Sequence, residues 1–166
     1  MKVFVTVHHR SHSCGLTLVE LLVSMAIVLV IAGTVAPMVV AAVKRDKEQE
    51  LRIALRQIRQ ALDDYKLASD IGRIARPAGS SGYPPNLSVL VLGVPDQFDA
   101  ARRPVFFLRR LPRDPFAAVD GISAEQTWGS RSYGSDPAQP EAGKDVFDVF
   151  SRSSAVGLNG VPYRQW

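Results

Sequence analysis

The chain is poor in the side chains that most often carry covalent or metal chemistry. It has one cysteine, Cys14, and three histidines, His8, His9 and His12. From residue 16 onward the sequence therefore excludes disulfides, Cys/His zinc sites and any Ser-His or Cys-His catalytic pair. A domain built from that part of the chain must be held by its apolar core, by partners or by a hard cation that prefers oxygen ligands.

The chain also has a low net charge. The formal net charge is +4, and two of the positive residues, Lys2 and Arg10, precede residue 15. No block of basic residues with interleaved aromatic residues is present, so the composition argues against nucleic acid as a partner.

Acidic residues that could act as a general acid or base are present but scattered. They are Asp63, Asp64, Asp114, Asp120 and Glu125. No two of them form a recognisable catalytic arrangement, and neither histidine nor cysteine accompanies them. We therefore expect a protein that is not an enzyme, with a membrane-anchored enzyme as the alternative from a different class.

What the chain does have is one long apolar run, Leu16 to Val43, with Glu20 as its single charge. A membrane-spanning helix needs roughly 20 apolar residues, so the run is long enough to cross a bilayer. A carboxylate at the bilayer centre costs about 2.5–3.5 kcal/mol on insertion scales, and a charge kept there indicates a functional site. The positive residues before the run predict that this end stays cytoplasmic and that the opposite end crosses the membrane.

An ordinary secretory signal is the alternative reading of this run. Such a signal has an apolar core of about 7–15 residues followed by a small-x-small cleavage site. The run here is much longer, and its best such site, Thr34-Val35-Ala36, is followed by Pro37, which disfavours cleavage. The residues favour an anchor, and a simple signal-anchored binding domain is a third class of function to weigh.

The segment Gly15-Leu16-Thr17-Leu18-Val19-Glu20 resembles the prepilin processing motif of type IV pilins and type II secretion pseudopilins. The resemblance implies that a prepilin peptidase cuts after Gly15 and that Leu16 becomes the N-methylated first residue of the mature chain. Leu16 stands where the family usually has Phe, which is an apolar departure. The resemblance also implies that Glu20 pairs with the N-terminal amine of a neighbouring subunit in a helical filament. A signal-anchored binding domain would need neither Gly15 nor Glu20.

Pro37 matches a proline that pilins commonly carry midway along this segment. A proline inside a helix removes one hydrogen-bond donor and kinks or loosens the helix. We expect a weak point from Gly33 to Pro37 within an otherwise continuous helix.

Beyond Lys44 the composition changes to an amphipathic pattern. Apolar residues recur at the i, i+3, i+4, i+7 spacing of one helix face. They are Leu51, Ala54, Leu55, Ile58, Ala61, Leu62 and Tyr65. The stripe lasts only about two heptads, so packing against the protein's own sheet is favoured over a coiled coil. The helix is predicted to run from the apolar segment to about Ser69.

The remaining residues predict short elements separated by turns. Leu87 to Leu92, ending at Gly93, favours a short helix, with a strand as the alternative. Val94 to Pro104 is predicted to be a loop, whereas residues 127–134 and 145–151 predict strands of a small antiparallel sheet.

These patterns predict an α+β fold of type IV pilin-like form. A long N-terminal helix, membrane-spanning in its first half and amphipathic in its second, packs on a small C-terminal antiparallel sheet. The expected divisions are a leader at 1–15, a transmembrane and filament-core segment at 16–43, the amphipathic continuation at 44–70 and a globular periplasmic domain at 71–166.

Two further segments resemble the major pseudopilin of type II secretion. One is Phe106 to Phe116, which contains Leu-Pro-Arg-Asp-Pro, and the other is Tyr83 to Val94. The last ten residues, 157–166, resemble the end of the same subunits. Many type IV pilus subunits close this region with a disulfide, so a mature chain without cysteine favours the secretion branch, with a pilus pilin as the alternative.

The resemblance also implies a calcium site in the C-terminal region. Calcium takes six to eight oxygen ligands, usually with more than one carboxylate. The candidates are Asp148, Ser151, Ser154 and Asn159. Ser154 and Asn159 stand where related sequences tend to have Asp, so a metal-free turn held by hydrogen bonds and aromatic packing is favoured over calcium.

The expected function is that of a structural pseudopilin subunit of a type II secretion system. Its partners would be prepilin peptidase, other pseudopilin subunits (copies of itself and minor pseudopilins) and the inner-membrane assembly platform. It would cross the bacterial inner membrane once, place its C-terminal domain in the periplasm and polymerise into a filament that drives protein export across the outer membrane.

Overall fold

The computed structural model describes residues 17–117 and 121–166, with the backbone alone for residues 34–37. The chain divides into two compact units, Met1–Ala42 and Val43–Trp166. The helix α1, Leu18–Asp70, is 53 residues long and contributes to both units. Its end at Asp70 agrees with the prediction that one helix continues to about Ser69.

In the first unit, α1 is apolar and uncovered. Its most apolar window has a mean hydropathy of 2.6, and none of that window is buried. By length and composition this part of α1 could cross a membrane. A core helix of a soluble protein can have the same composition, but its apolar side chains are covered by the rest of the fold.

In the second unit, α1 is amphipathic and supplies the core. All seven apolar residues of the predicted stripe are buried, and Ala68 extends it. The helix ends in a Schellman arrangement: the N–H of Arg73 donates to the carbonyl of Ala68 at 2.9 Å, and Gly72 adopts a φ of +75°. Glycine takes this left-handed conformation without steric cost, which is why the helix stops here.

The other elements of the second unit are short. They are the helix α2, Ser88–Leu92, and the strands β1, Val94–Pro95, β2, Pro104–Val105, β3, Trp128–Arg131, and β4, Asp148–Ser151. Two 3₁₀ turns, Glu125–Thr127 and Tyr163–Gln165, complete the order. Strands β1 and β2 pair antiparallel, and β3 pairs antiparallel with β4 in a register that sets Trp128 against Ser151.

This architecture confirms the α+β prediction of a long N-terminal helix with small antiparallel sheets in the C-terminal part. The helix expected at Leu87 to Leu92 is confirmed over the strand. The prediction of a loop across Val94 to Pro104 is wrong at both ends of the segment. Its first two residues form β1, and its last residue belongs to β2, which pairs with β1. Each of these strands is two residues long and contains a proline, so no alternating pattern was long enough to reveal them.

The core of the second unit lies between α1 and the short elements. Trp128, Val149 and Tyr163 are buried with the stripe of α1. The indole N–H of Trp128 donates to the carbonyl of Pro112 at 2.9 Å. The ring is therefore buried with its one polar group paired, as buried tryptophan requires.

Candidate functional site

Glu20 lies in the first turn of α1, among exposed apolar side chains. Its backbone N–H donates to the hydroxyl oxygen of Thr17 at 3.2 Å, so Thr17 caps the helix and Glu20 occupies the third helical position. The carboxylate therefore lies near the positive end of the helix dipole. In the described part of the chain, no basic side chain forms an ion pair with Glu20. Among the described residues, the carboxylate is therefore not occupied by a cation.

Thr17 is a site residue that the sequence reasoning missed. The signal was present, because Thr17 and Glu20 have the spacing of a capping box just before an apolar run. This cap fixes where α1 begins and hence where the Glu20 carboxylate stands along it.

The other predicted processing and assembly residues differ in how far the structure describes them. Gly15 and Leu16 lie outside the described residues. Pro37 lies inside α1, which the backbone continues without a break from residue 18 to residue 70. Since proline has no N–H, the carbonyl of Gly33 lacks its usual helical donor. The weak point at Gly33 to Pro37 stays a prediction.

Two of the calcium candidates lie on opposite faces of one strand. Asp148 and Ser151 lie at the two ends of β4, and side chains three residues apart on a strand point to opposite faces. The buried face carries Val149 and Ser151, whereas Asp148 is on the other face. Ser154 and Asn159 are exposed. Among the described residues, no group of three or more His, Cys, Asp or Glu side chains is placed to hold a metal.

The side-chain oxygens of three of these candidates, Asp148, Ser151 and Asn159, already have protein partners. Asp148 forms ion pairs with Arg59 at 2.8 Å and with Arg131 at 3.6 Å. The Ser151 hydroxyl donates to the Asp114 carboxylate, and the amide oxygen of Asn159 accepts from the N–H of Val161 at 3.1 Å. Calcium binding stays a prediction, and it would require Asp148 to give up its arginine partners in part.

Arg59 is the residue that joins α1 to the end of the chain. Besides Asp148, its guanidinium donates to the carbonyl of Val149 at 3.2 Å and to the carbonyl of Trp166 at 2.7 Å. No sequence signal pointed to it, because these partners lie about 90 to 107 residues away along the chain.

Glu48 makes a second connection of the same kind. Its carboxylate is buried and accepts from the Tyr163 hydroxyl at 2.9 Å and from the N–H of Leu158 at 2.7 Å. Burial, together with the hydrogen bond to Glu48, raises the pKa of Tyr163 to about 12. Lys44 adds a hydrogen bond to the carbonyl of Val156 at 2.8 Å. The turn at residues 156–163 is thus held by α1 through polar contacts.

Aromatic packing holds the same segment. The Tyr163 ring stacks on Phe116 with centroids 4.1 Å apart and meets Trp166 edge to face at 5.0 Å. The guanidinium of Arg52 lies 4.4 Å from the centroid of the Trp166 ring. Such contacts contribute about 0.5–1.5 kcal/mol each beyond the area they bury.

Two of the acidic residues considered for catalysis, Asp114 and Glu125, are occupied by structural hydrogen bonds. The Asp114 carboxylate is buried, accepts from the N–H of Phe116 at 2.8 Å and from Ser151, and so fixes the Pro-Arg-Asp-Pro turn. Glu125 accepts from the N–H of Leu87 at 2.9 Å and from the Ser88 hydroxyl, where the chain enters α2. Asp63 and Asp64 are exposed on α1, and Asp120 lies outside the described residues. The contacts of Asp114 and Glu125 therefore suit structural roles.

Comparison with known proteins bears on the N-terminal segment alone. Residues 10–36 match the family model described as the prokaryotic N-terminal methylation motif. The match contains Gly15, Leu16 and Glu20 and most of the apolar part of α1. The motif is the prepilin-type signal, and it supports a structural subunit of the type IV pilin-like kind rather than an enzyme.

The motif implies processing by prepilin peptidase and assembly with other subunits, and an apolar N-terminal helix that could anchor in the membrane agrees with it. A search of curated proteins and a search of solved structures each gave no match. The finer identity of the subunit therefore rests on the residues and contacts of the chain itself.

Proposed function

We propose that this chain is a pseudopilin subunit of a type II secretion system. Prepilin peptidase cuts it after Gly15 and methylates Leu16. The mature chain then polymerises into a periplasmic filament that drives protein export across the outer membrane. The observation that carries the proposal is the uncovered apolar half of α1, with Glu20 as its single charge inside a prepilin-type motif.

The uncovered apolar residues are the reason to expect assembly. Each large apolar side chain contributes about 1.5–3 kcal/mol when it leaves water, which is enough to hold residues 16–43 in a membrane. Within a membrane that driving force is absent, and helices associate through close packing and interhelical hydrogen bonds. A neighbouring copy offers an identical apolar surface with which this helix could pack in a filament core.

Glu20 supplies the specific part of the contact. Cleavage after Gly15 would create an α-amino group, and a carboxylate in an apolar setting is stabilised by such a cation. The α-amino group would belong to Leu16, the first residue of the mature sequence, and the carboxylate belongs to Glu20, the fifth. In a filament, the carboxylate of one copy would meet the amine of another, which fixes the register between subunits.

The second unit suits a globular domain that lies on the outside of the filament. It has its own core and starts at Val43, close to the expected change from 16–43 to 44–70. We assign residues 44–70 to the helix that carries this core and residues 71–166 to the periplasmic domain packed on it. The chain would cross the inner membrane once, with this domain outside the cytoplasm.

A type IV pilus subunit is the second candidate. The contacts of the C-terminal segment favour the secretion branch, because Glu48, Arg59 and the Tyr163 ring hold that segment without a disulfide. For the same region, the resemblance implies a calcium site at Asp148, Ser151, Ser154 and Asn159, over which we favour a metal-free turn.

The experiment is co-expression of the full chain with and without a prepilin peptidase, and with Gly15→Asp as the control. We expect the wild-type chain to lose residues 1–15 only when the peptidase is present, and the Gly15→Asp chain to keep them. A chain that stays uncut beside an active peptidase would refute the proposal. Restoring export in a strain without its major pseudopilin, but not piliation in a strain without its pilin, would separate the two candidates.

A further inference from the structure

An apolar turn lies beside the first residues of α1 that follow the apolar run. The turn consists of residues 156–161, and an antiparallel bridge between Val156 and Pro162 closes it. Val156 is 45% exposed, Leu158 47% and Val161 37%. Single exposed apolar residues are ordinary on a protein surface, but three aliphatic side chains on one short turn indicate a contact surface.

Two contacts fix the apolar turn against α1 where the apolar run ends. The Lys44 ammonium donates to the carbonyl of Val156 at 2.8 Å, and the Glu48 carboxylate accepts from the N–H of Leu158 at 2.7 Å. Lys44 directly follows Val43, the last residue of the apolar run, and Glu48 lies about one helical turn further on. The apolar turn therefore lies beside the first two helical turns beyond the apolar run.

The length of the apolar part of α1 brings its end to the surface of a bilayer. Measured along the helix, Leu18 to Val43 is about 39 Å long at 1.5 Å per residue. A bilayer is about 30 Å thick in its hydrocarbon core and about 40–45 Å thick with its headgroups. A helix that begins at the cytoplasmic surface therefore ends its apolar run among the headgroups of the opposite leaflet, and the apolar turn would lie at that depth.

The backbone of the apolar turn is suited to a poorly hydrated setting. The N–H of Gly157 donates to the carbonyl of Val161 at 2.9 Å, and the N–H of Gly160 donates to the carbonyl of Gly157 at 3.0 Å. The N–H of Val161 donates to the side-chain oxygen of Asn159 at 3.1 Å, and the N–H of Leu158 donates to α1. Since leaving water is costly mainly for unpaired polar groups, a turn with these bonds can enter the membrane interface at low cost.

The side chains of α1 beside the turn carry a positive charge. Residues 44–47 contain three basic side chains and one acidic one, Asp46, and Arg45 and Lys47 are exposed. The carboxylate of Glu48 is buried and occupied by hydrogen bonds. Basic side chains next to a membrane-spanning segment attract anionic headgroups, and their apolar stems can stay in the interface. The charge at this level therefore matches an anionic lipid surface.

We propose that the apolar turn is a second membrane contact of the unassembled subunit. Val156, Leu158 and Val161 would lie in the headgroup region, while the basic side chains of residues 44–47 meet anionic lipid phosphates. This contact rests on the proposed function, because it needs the apolar half of α1 to cross the membrane. A chain that is already anchored meets the bilayer without a further loss of translational freedom, so a small apolar surface is sufficient.

A single environment-sensitive fluorophore on the full chain tests the contact. Cys14 is the only cysteine of the chain, so a Cys14→Ser background allows one label at Leu158→Cys. Leu158 is exposed, and exposed substitutions of this kind seldom disturb folding. Each labelled chain is reconstituted at one copy per nanodisc, in discs of phosphatidylcholine alone and in discs that also contain phosphatidylglycerol.

The matched control carries the label at Leu92→Cys, at another exposed leucine of the same unit. Leu92 ends α2, in which the carbonyl of Leu90 accepts from the N–H of Phe107 at 3.0 Å. The Phe107 ring packs on Tyr65 with centroids 5.2 Å apart, and Tyr65 is about 32 Å beyond Lys44 along α1. The label at Leu92 should therefore stay in water.

We expect the label at Leu158 to emit at a shorter wavelength than the label at Leu92. It should also lose most of its intensity when the lipid carries a nitroxide near its headgroup, and this loss should be larger in the discs with phosphatidylglycerol. A label at Leu158 that is as accessible to water as the one at Leu92 would overturn the proposal. Shielding that appears only in discs with several copies would overturn it in favour of a contact between subunits, and equal losses in the two lipids would overturn the role of the basic residues.

Leader cleavage separates this proposal from the proposed function. The unlabelled wild-type chain in the same discs is treated with prepilin peptidase in a parallel reaction. Cleavage of that chain together with a water-accessible label at Leu158 would overturn the membrane contact alone. An uncut wild-type chain together with a shielded label at Leu158 would count against the proposed function and support the membrane contact.

Discussion

The Tyr163 hydroxyl donates a 2.9 Å hydrogen bond to the Glu48 carboxylate, across 115 residues of sequence. The bond ties the last turn of the chain to the beginning of the amphipathic part of α1. Both partners are buried, so neither can exchange the other for water at low cost.

Replacing Tyr163 with Phe should therefore destabilise the second unit. The change keeps the ring that stacks on Phe116 but removes one of the two hydrogen bonds that Glu48 accepts. We expect a loss of about 1–3 kcal/mol in the free energy of unfolding. Tryptophan fluorescence during denaturation of the full chain would measure it, because both tryptophans, Trp128 and Trp166, lie in this unit.

Tyr133→Phe is the matched control. The Tyr133 ring is exposed, so its hydroxyl can be hydrated in the folded and the unfolded protein alike. We expect a change below about 0.5 kcal/mol. Equal effects of the two substitutions would contradict the role given to the contact with Glu48.

Burial of Tyr163, together with its hydrogen bond to Glu48, should make the free energy of unfolding depend on pH in the alkaline range. In the folded chain the pKa of Tyr163 is raised from 10.0 to about 12, so folding favours the protonated phenol. The stabilisation is fully present below pH 10 and is lost as the pH rises from about 10 to about 12. Denaturation of the wild type and of Tyr163→Phe at several pH values isolates this contribution, since other tyrosines titrate in both proteins.

A difference in the free energy of unfolding between wild type and Tyr163→Phe that stays constant from pH 9 to pH 12 would contradict this prediction. Lysine and the remaining tyrosines change the absolute stabilities at high pH. These groups should affect both proteins alike. The quantity to measure is therefore the decrease, with rising pH, in the difference between the two free energies of unfolding.

Gly93→Ala should destabilise the hairpin of β1 and β2. Gly93 has a φ of +80° and a ψ of 160°, a region that is essentially restricted to glycine and costs other residues about 1–3 kcal/mol, and the new methyl group would lie 2.9 Å from the Phe106 ring. We expect a loss of at least about 1 kcal/mol by the same denaturation measurement. Gly134→Ala is the control, because no atom lies within 4 Å of its Cβ position, and it should be near neutral.

Calcium should not stabilise the C-terminal region. Asp148 is bound by Arg59 and Arg131, and Ser151 by Asp114, so we expect millimolar calcium to leave the melting temperature of the full chain unchanged. Thermal melts in calcium, in magnesium and in a chelator would measure it. A rise specific to calcium that is absent in Asp148→Asn would contradict this expectation and establish the site.

Local patterns made α1 predictable. The stripe from Leu51 to Tyr65 repeats every three to four residues, and this period depends only on the residues of the helix itself. The stop near Asp70 was likewise local, because Gly72 could end the helix. Strands β3 and β4 were found in outline for the same reason, since aromatic and β-branched residues are concentrated there.

The contacts that hold the last turn were not predictable in this way. The sequence around Glu48 and Arg59 predicted only a charged helix face, and their partners lie 89 to 115 residues further along the chain. Only the folded arrangement reveals that Glu48 is buried and that Arg59 reaches the carbonyl of Trp166. The same limit applied to Asp148, which the resemblance offered as a calcium ligand and the structure places between two arginines.

The central claim is that the apolar half of α1, with Glu20 as its charge, forms the core of a filament. The most direct test compares wild-type chain and Glu20→Ala, each co-expressed with prepilin peptidase, by leader cleavage and by the amount of chain in sheared, sedimented filaments. Removing one partner of a buried ion pair costs about 3–5 kcal/mol. We predict that both chains are cleaved after Gly15 but that only the wild type assembles efficiently, whereas equal assembly of cleaved Glu20→Ala would contradict the account.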